Sequence, residues 1–170
     1  MSLVPIVFLL MLAEQRLSRA NERSLRAQGA FEPRDDVYRV MAWSYPASFL
    51  LMALEGAIVG PPPEIVFAAG VLVFAAAKAI KYWAIASLGP RWTFHVLVLP
   101  GAPLVARGPY AWLRHPNYVG VMGELVGVAL ALGAPVTGIV TTIGFSYLLR
   151  QRIAVENRAL GRDQPSAKGV

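Results

Sequence analysis

Cysteine is absent from this chain, and with it any disulfide framework, thiolate nucleophile or thiolate metal site. Histidine is nearly absent: His95 and His115 are the only imidazoles, and no metal is expected. Charge is scarce as well. Only 15% of the 170 residues are charged while 56% are hydrophobic, and the mean hydropathy is +0.51, values foreign to a soluble domain. No Gly-x-Gly-x-x-Gly follows a strand-like run, which excludes a soluble Rossmann-type cofactor domain. The net charge of +6 does not indicate nucleic acid, because the basic residues are scattered beside apolar runs without the interleaved aromatics of a binding face. These absences leave a single-domain, all-α integral membrane protein over residues 1–170.

Five apolar runs are present. Residues 3–13 have signal-peptide length but no basic n-region or cleavage site, so a retained, short first span is expected. Residues 14–29 interleave Arg16, Arg19, Arg23 and Arg26 with Glu14 and Glu22, and read as a solvated extension of that helix at the membrane interface. Gly29 and Pro33 stop it, and Asp35 or Asp36 is placed to cap the next helix. Residues 37–54, with a kink point at Pro46, and 65–88 form the second and third spans, Lys78 and Lys81 snorkelling from the end of the third. Residues 119–132 and 135–149 are shorter and are expected as a tight hairpin about Gly133-Ala134, with Gly123, Gly127, Gly138 and Gly144 allowing close approach. Five spans put all sixteen Lys and Arg on one side, giving an outside N-terminus and a cytoplasmic C-terminus. Residues 163–170 read as a disordered tail.

Residues 89–113 are too polar and too rich in Pro and Gly to span; 95–99 and 104–106 suggest a short β-hairpin, with His95 as a packing histidine. Next comes Gly108-Pro-Tyr-Ala-Trp-Leu-Arg-His-Pro-Asn-Tyr-Val-Gly120. Pro109 suits the first turn of a short helix, Pro116 ends that helix near Leu113 or Arg114, and Gly120 permits close backbone approach. Arg114, His115 and Tyr118 therefore share one bend at a membrane boundary. Singly each is an ordinary interface residue; clustered, they mark a site. The last run ends in Arg150-Gln-Arg-Ile-Ala-Val-Glu156-Asn157, which taken alone reads as a snorkelling helix end with a solvated glutamate.

The Arg114-His-Pro-Asn-Tyr-Val-Gly120 run, with Gly108-Pro-Tyr110 before it and Glu156 and Leu160 after, resembles the isoprenylcysteine carboxyl methyltransferase family of integral membrane enzymes. The likeness covers roughly residues 88–160. Arg91-Trp-Thr93, Leu99-Pro-Gly101 and Glu124 resemble a bacterial branch that methylates long-chain alkylpyrones or alkylresorcinols made by type III polyketide synthases. Two features depart from the family pattern: Glu156-Asn157 stands where a Glu-Glu pair is usual, and the tyrosine-containing tail is missing.

The resemblance implies S-adenosylmethionine as cofactor, a cytoplasm-facing site in the bacterial inner membrane, and a lipid-like small-molecule substrate entering between helices. It implies a cofactor site from Tyr110, Arg114, His115, Pro116, Tyr118, Gly120, Glu156 and Asn157. Arg114 or His115 suits the cofactor carboxylate, Glu156 its amine or ribose, and Tyr110, Trp112 or Tyr118 its flat apolar surfaces. Arg114 and Glu124 are the catalytic candidates, Glu124 as the group that orients or deprotonates an acceptor hydroxyl. Its bland reading is an interfacial glutamate paired with an arginine. An isoprenylcysteine carboxylate is the alternative acceptor. An NADPH-dependent membrane reductase shares a similar C-terminal motif, but such chains are much longer, and a non-catalytic scaffold would not require the intact Arg-His-Pro-Asn-Tyr.

Overall fold

The computed structural model describes residues 3–34 and 36–161, and the Asp35 cap and the 163–170 tail lie outside them. Five helices make up the fold: α1 (Leu3–Ala27), α2 (Tyr38–Val59), α3 (Glu64–Leu88), α4 (Pro116–Leu132) and α5 (Pro135–Ala159). Short 3-10 turns at Gly89–Arg91 and Gly108–Ala111 sit in the long α3–α4 connection. Tyr38–Val59 and Glu64–Arg91 are long and apolar enough to cross a membrane, and α4 is a shorter apolar helix. Their outward faces carry Leu50, Leu54, Ile58, Ile65 and Leu72, all exposed, as suits contact with lipid tails.

The tightest packing joins α3 to α4, where small residues let the two backbones touch. A Cβ on Gly127 would fall 2.5 Å from the Phe74 nitrogen, and one on Gly70 would fall 2.4 Å from the Ala131 nitrogen. Gly123 faces Ala77 and Gly120 faces Lys81, so the small-residue stripe of α4 serves α3 rather than the hairpin partner α5. On α5, Gly138 approaches Ala129, but Gly144 has nothing within 4 Å of an added Cβ. The core between these helices holds Val7, Phe49, Met52, Phe74, Leu125, Val128 and Phe145.

Several expectations are corrected. The charged half of α1 is not a solvated interfacial extension: helix α1 runs unbroken to Ala27, and Val7, Glu14, Ser18 and Leu25 are buried along one stripe. Asn21 donates to the Trp92 carbonyl at 2.8 Å and Ser18 accepts the Phe94 amide at 2.8 Å, which docks this face on the α3–α4 connection. Lys78 and Lys81 do not snorkel; they are 6% and 2% exposed. Asp36 caps no helix: α2 has no side-chain cap, and Asp36 takes Arg152 instead. The 95–99/104–106 hairpin is not formed, and Val98 makes a lone antiparallel bridge with Phe31. Pro116 does not merely end a preceding helix; it opens α4 at its first turn, where its missing N–H costs nothing. Helix α5 continues ten residues past Leu149 to Ala159, carrying Arg152 and Glu156 back over the motif. Its start is capped by Glu55 of α2, which accepts the Val136 and Thr137 amides at 3.0 and 2.7 Å.

Candidate active site

Pro116 sets the first turn of α4 with His115 as the residue before it, so His115 and Tyr118 fall on one side of that turn, their rings stacked at 5.5 Å. Glu156 reaches them from the far end of α5. Tyr118 donates to Glu156 Oε2 at 2.9 Å, and His115 Nδ1 lies 3.5 Å from the same oxygen. Burial alone would push the Glu156 carboxyl up, but hydrogen bonds from His115 and Tyr118 and the charge of Arg152 together outweigh it and hold it below the ordinary carboxylate range. His115 Nε2 is buried and has no hydrogen-bond partner among the described residues, nor has Asn157 Oδ1. In a settled core such atoms are paired, so His115 Nε2 is a polar group waiting for a ligand.

Arg152, one helical turn before Glu156, holds the arrangement together. Its Nε donates to Tyr118 Oη at 3.0 Å, one terminal nitrogen lies 3.2 Å from Asp36 and the other donates to the Phe94 carbonyl. Three segments remote in sequence thus meet on one guanidinium, whose planar fork of donors suits several acceptors at once. Trp92 is buried and donates to Asn117 Oδ1 at 3.3 Å, so the Arg91-Trp-Thr93 segment braces the Arg-His-Pro-Asn-Tyr segment. His95 pairs with Glu32 at 2.6 Å and packs on Tyr38.

Beside these residues lies a cavity of about 380 Å³. Tyr110, His115, Asn117, Tyr118, Arg152, Glu156 and Leu160 line it, and so do the apolar Phe8, Met11, Leu12, Met41 and Pro46 of α1 and α2. Of the sequence candidates, the structure brings together Tyr110, His115, Tyr118 and Glu156. Arg114 is exposed and Trp112 is 78% exposed, both outside the lining. Pro116 and Gly120 are buried supports, Gly120 against Lys81, and Asn157 lies outside the lining.

A second polar group meets the cavity. Glu14 of α1 takes Lys78 at 2.7 Å and Lys81 at 2.6 Å, and Glu124 of α4 takes the same two lysines at 3.1 and 3.2 Å. Tyr45 of α2 donates to Glu124 at 2.7 Å. Two carboxylates and two ammoniums close a neutral, buried ring. Glu14, Lys81 and Tyr45 line the cavity, whereas Glu124 is 0% exposed and does not. Arg152, Glu14, Lys81 and Tyr45 were missed by sequence reasoning, although Arg152 stands four residues before Glu156 and so on the same helix face.

The model of the isoprenylcysteine carboxyl methyltransferase (ICMT) family matches residues 69–162. Across 158 residues the chain is 33% identical to uncharacterized protein YpbQ of Bacillus subtilis, covering 93% of this chain and 94% of that protein. Across 99 residues it is 27% identical to an uncharacterized protein of Haemophilus influenzae, 58% of each chain. No solved structure matches.

Proposed function

This chain belongs to the isoprenylcysteine carboxyl methyltransferase family, and on that premise we propose that it transfers a methyl group from S-adenosylmethionine to a ring hydroxyl of a long-chain alkylpyrone or alkylresorcinol. The family makes it an S-adenosylmethionine-dependent methyltransferase of a membrane substrate. The observation that carries the reading is one cavity lined both by residues of the family motif and by apolar residues of α1 and α2. A charged cofactor and an alkyl tail are accommodated in it side by side.

The motif residues fit the methyl donor. His115 Nε2 is an unpartnered buried nitrogen that accepts an N–H or O–H in the neutral ring and donates to a carboxylate in the imidazolium form, Glu156 suits an amine or ribose hydroxyl, and Tyr110 and Tyr118 offer flat faces to an adenine. Exposed Arg114 is assigned to the mouth, where it attracts the donor's carboxylate. Bound S-adenosylmethionine supplies an electrophilic methyl group on a sulfonium. Charge disappears as that group moves to an oxygen nucleophile, so the protein's part is to exclude water and align the acceptor. The five helices are read as five spans of the bacterial inner membrane with the motif residues facing the cytoplasm.

The hydroxyl acceptor is favoured over a prenylcysteine carboxylate by likeness at Arg91-Trp-Thr93, Leu99-Pro-Gly101 and Glu124, and by charge. Each buried lysine already faces two carboxylates, so a carboxylate acceptor would bring a third negative charge to two ammoniums. Purified protein given labelled S-adenosylmethionine is expected to label a long-chain alkylpyrone and not a farnesylcysteine analogue. Label in the prenylcysteine alone would establish the carboxylate reading instead.

Cofactor binding has its own test. His115→Ala or Glu156→Ala should weaken S-adenosylmethionine binding by about 1.5–3 kcal/mol in calorimetry, the loss of a charge-assisted hydrogen bond. Because the folded carboxyl of Glu156 lies low, its contribution is present at neutral pH and is lost only as the pH falls through and below the ordinary carboxylate range. Unchanged affinity in both variants would remove the motif from the cofactor site.

A further inference from the structure

We infer that Glu14 is the general base of the methyl transfer, and that Lys81 beside it binds the acceptor oxygen. The inference rests on the methyltransferase reading above and assigns the reacting end of the acceptor within it. Glu124, the carboxylate that the sequence points to, is sealed behind Lys78, Lys81 and Tyr45 and has no surface on the cavity. Glu14 belongs to the same ring of charges but does line the cavity, as do Lys81 and Tyr45. Glu14 follows Phe8, Met11 and Leu12 on α1, and all four line the same cavity as His115 and Glu156. An acceptor with its alkyl tail among those apolar residues presents its hydroxyl to Glu14.

Donor counting supports the pairing. An ammonium has three N–H groups, and Lys81 spends one on Glu14 at 2.6 Å, while Glu124 Oε1 stands 3.2 Å away without a hydrogen bond. The others remain for an oxygen in the cavity. The charged and titratable groups facing Glu14 are Lys78, Lys81 and Tyr82 of α3, with Glu124 of α4 and Tyr45 of α2 across the lysines. Because the ring is neutral, it suits an acceptor that arrives uncharged. The hydroxyl oxygen then forms its bond to the methyl carbon with a lone pair, the C–S pair returns to sulfur as a thioether, and the hydroxyl proton passes to Glu14. Glu14 releases it to water once the methyl ether leaves, so one proton appears per turnover.

The test compares two aromatic acceptors with the same alkyl tail, one bearing a weakly acidic phenol and the other a strongly acidic enol. In Glu14→Gln, kcat/KM for the phenol should fall by about 100-fold or more, the usual worth of a positioned base, and the fall for the enol should be smaller. Calorimetric affinity for S-adenosylmethionine should be unchanged, since Glu14 is outside the motif. If the single variant fails to fold, Glu14→Gln with Lys78→Met keeps the ring neutral and is measured in its place. Equal losses with both acceptors, or no loss, would overturn the assignment while leaving the wild-type activity and the methyltransferase reading intact. A wild-type protein that binds S-adenosylmethionine but methylates neither acceptor would instead remove the reading, and this inference with it.

Discussion

Lys78→Met and Glu124→Leu, each made alone, are expected to destabilise the protein by about 3–5 kcal/mol, because either change leaves an uncompensated charge among buried helices. Lys78 lies 2.7 Å from Glu14 and 3.1 Å from Glu124, and all three side chains are buried, Glu14 alone of them lining the cavity. Without Lys78, two carboxylates share one ammonium; without Glu124, two ammoniums share one carboxylate and Tyr45 loses its acceptor. The double variant retains only the matched Lys81–Glu14 pair at 2.6 Å and should be more stable than either single variant. Unfolding of detergent-solubilised protein reads all three. Simple addition of the two single losses would mean that these charges are hydrated rather than sealed together.

Gly127→Ala should cost about 3 kcal/mol or more and abolish methyl transfer, at the upper end of what overpacking does. The added carbon would stand 2.5, 2.8 and 2.9 Å from the Phe74 nitrogen, Phe74 Cα and the Gly70 carbonyl oxygen. All three are backbone atoms, so no side chain can turn aside and α4 must back away from α3. That movement carries Tyr118 and Glu124 with it. Gly144→Ala is the control in the same fold: its added carbon meets nothing within 4 Å, so the gain in helix propensity, up to about 1 kcal/mol, should appear. Equal and small effects at both positions would show that α3 and α4 are not held in backbone contact.

The buried polar ring could have been found by periodicity had charge not obscured it. Val7, Glu14, Ser18 and Leu25 follow steps of seven, four and seven, which is a single helical stripe. Four arginines between those positions made the segment read as solvated, when they occupy only its other face. Gly120, Glu124, Gly127 and Ala131 form a comparable stripe on α4, and Gly70, Phe74, Ala77, Lys81 and Ala84 the matching one on α3. Lys81 and Glu124 thus lie in register with glycines that demand contact. A lysine at such a position does not snorkel, and Lys81 meets only the cavity. Its partner, 67 residues earlier in the chain, is not indicated by any local signal.

Composition and local stereochemistry determined by themselves that this is a helical chain with membrane-length apolar runs, roughly where those runs lie, that Pro109 sits in a first turn, and that His115 and Tyr118 share one bend, whereas Glu156 entered only through the family resemblance. Those properties depend on a residue and its near neighbours: apolar side chains favour lipid, and proline lacks an N–H wherever it stands. Only the tertiary structure decided that α1 docks its charged half, that Arg152 gathers Tyr118, Asp36 and Phe94, and that Glu14 rather than Glu124 faces the cavity. Each of these turns on which helix faces come together. A charged side chain in a membrane protein is inexpensive beside water, costly alone and stable when paired, and which of the three applies depends on partners that helix packing brings from distant parts of the chain.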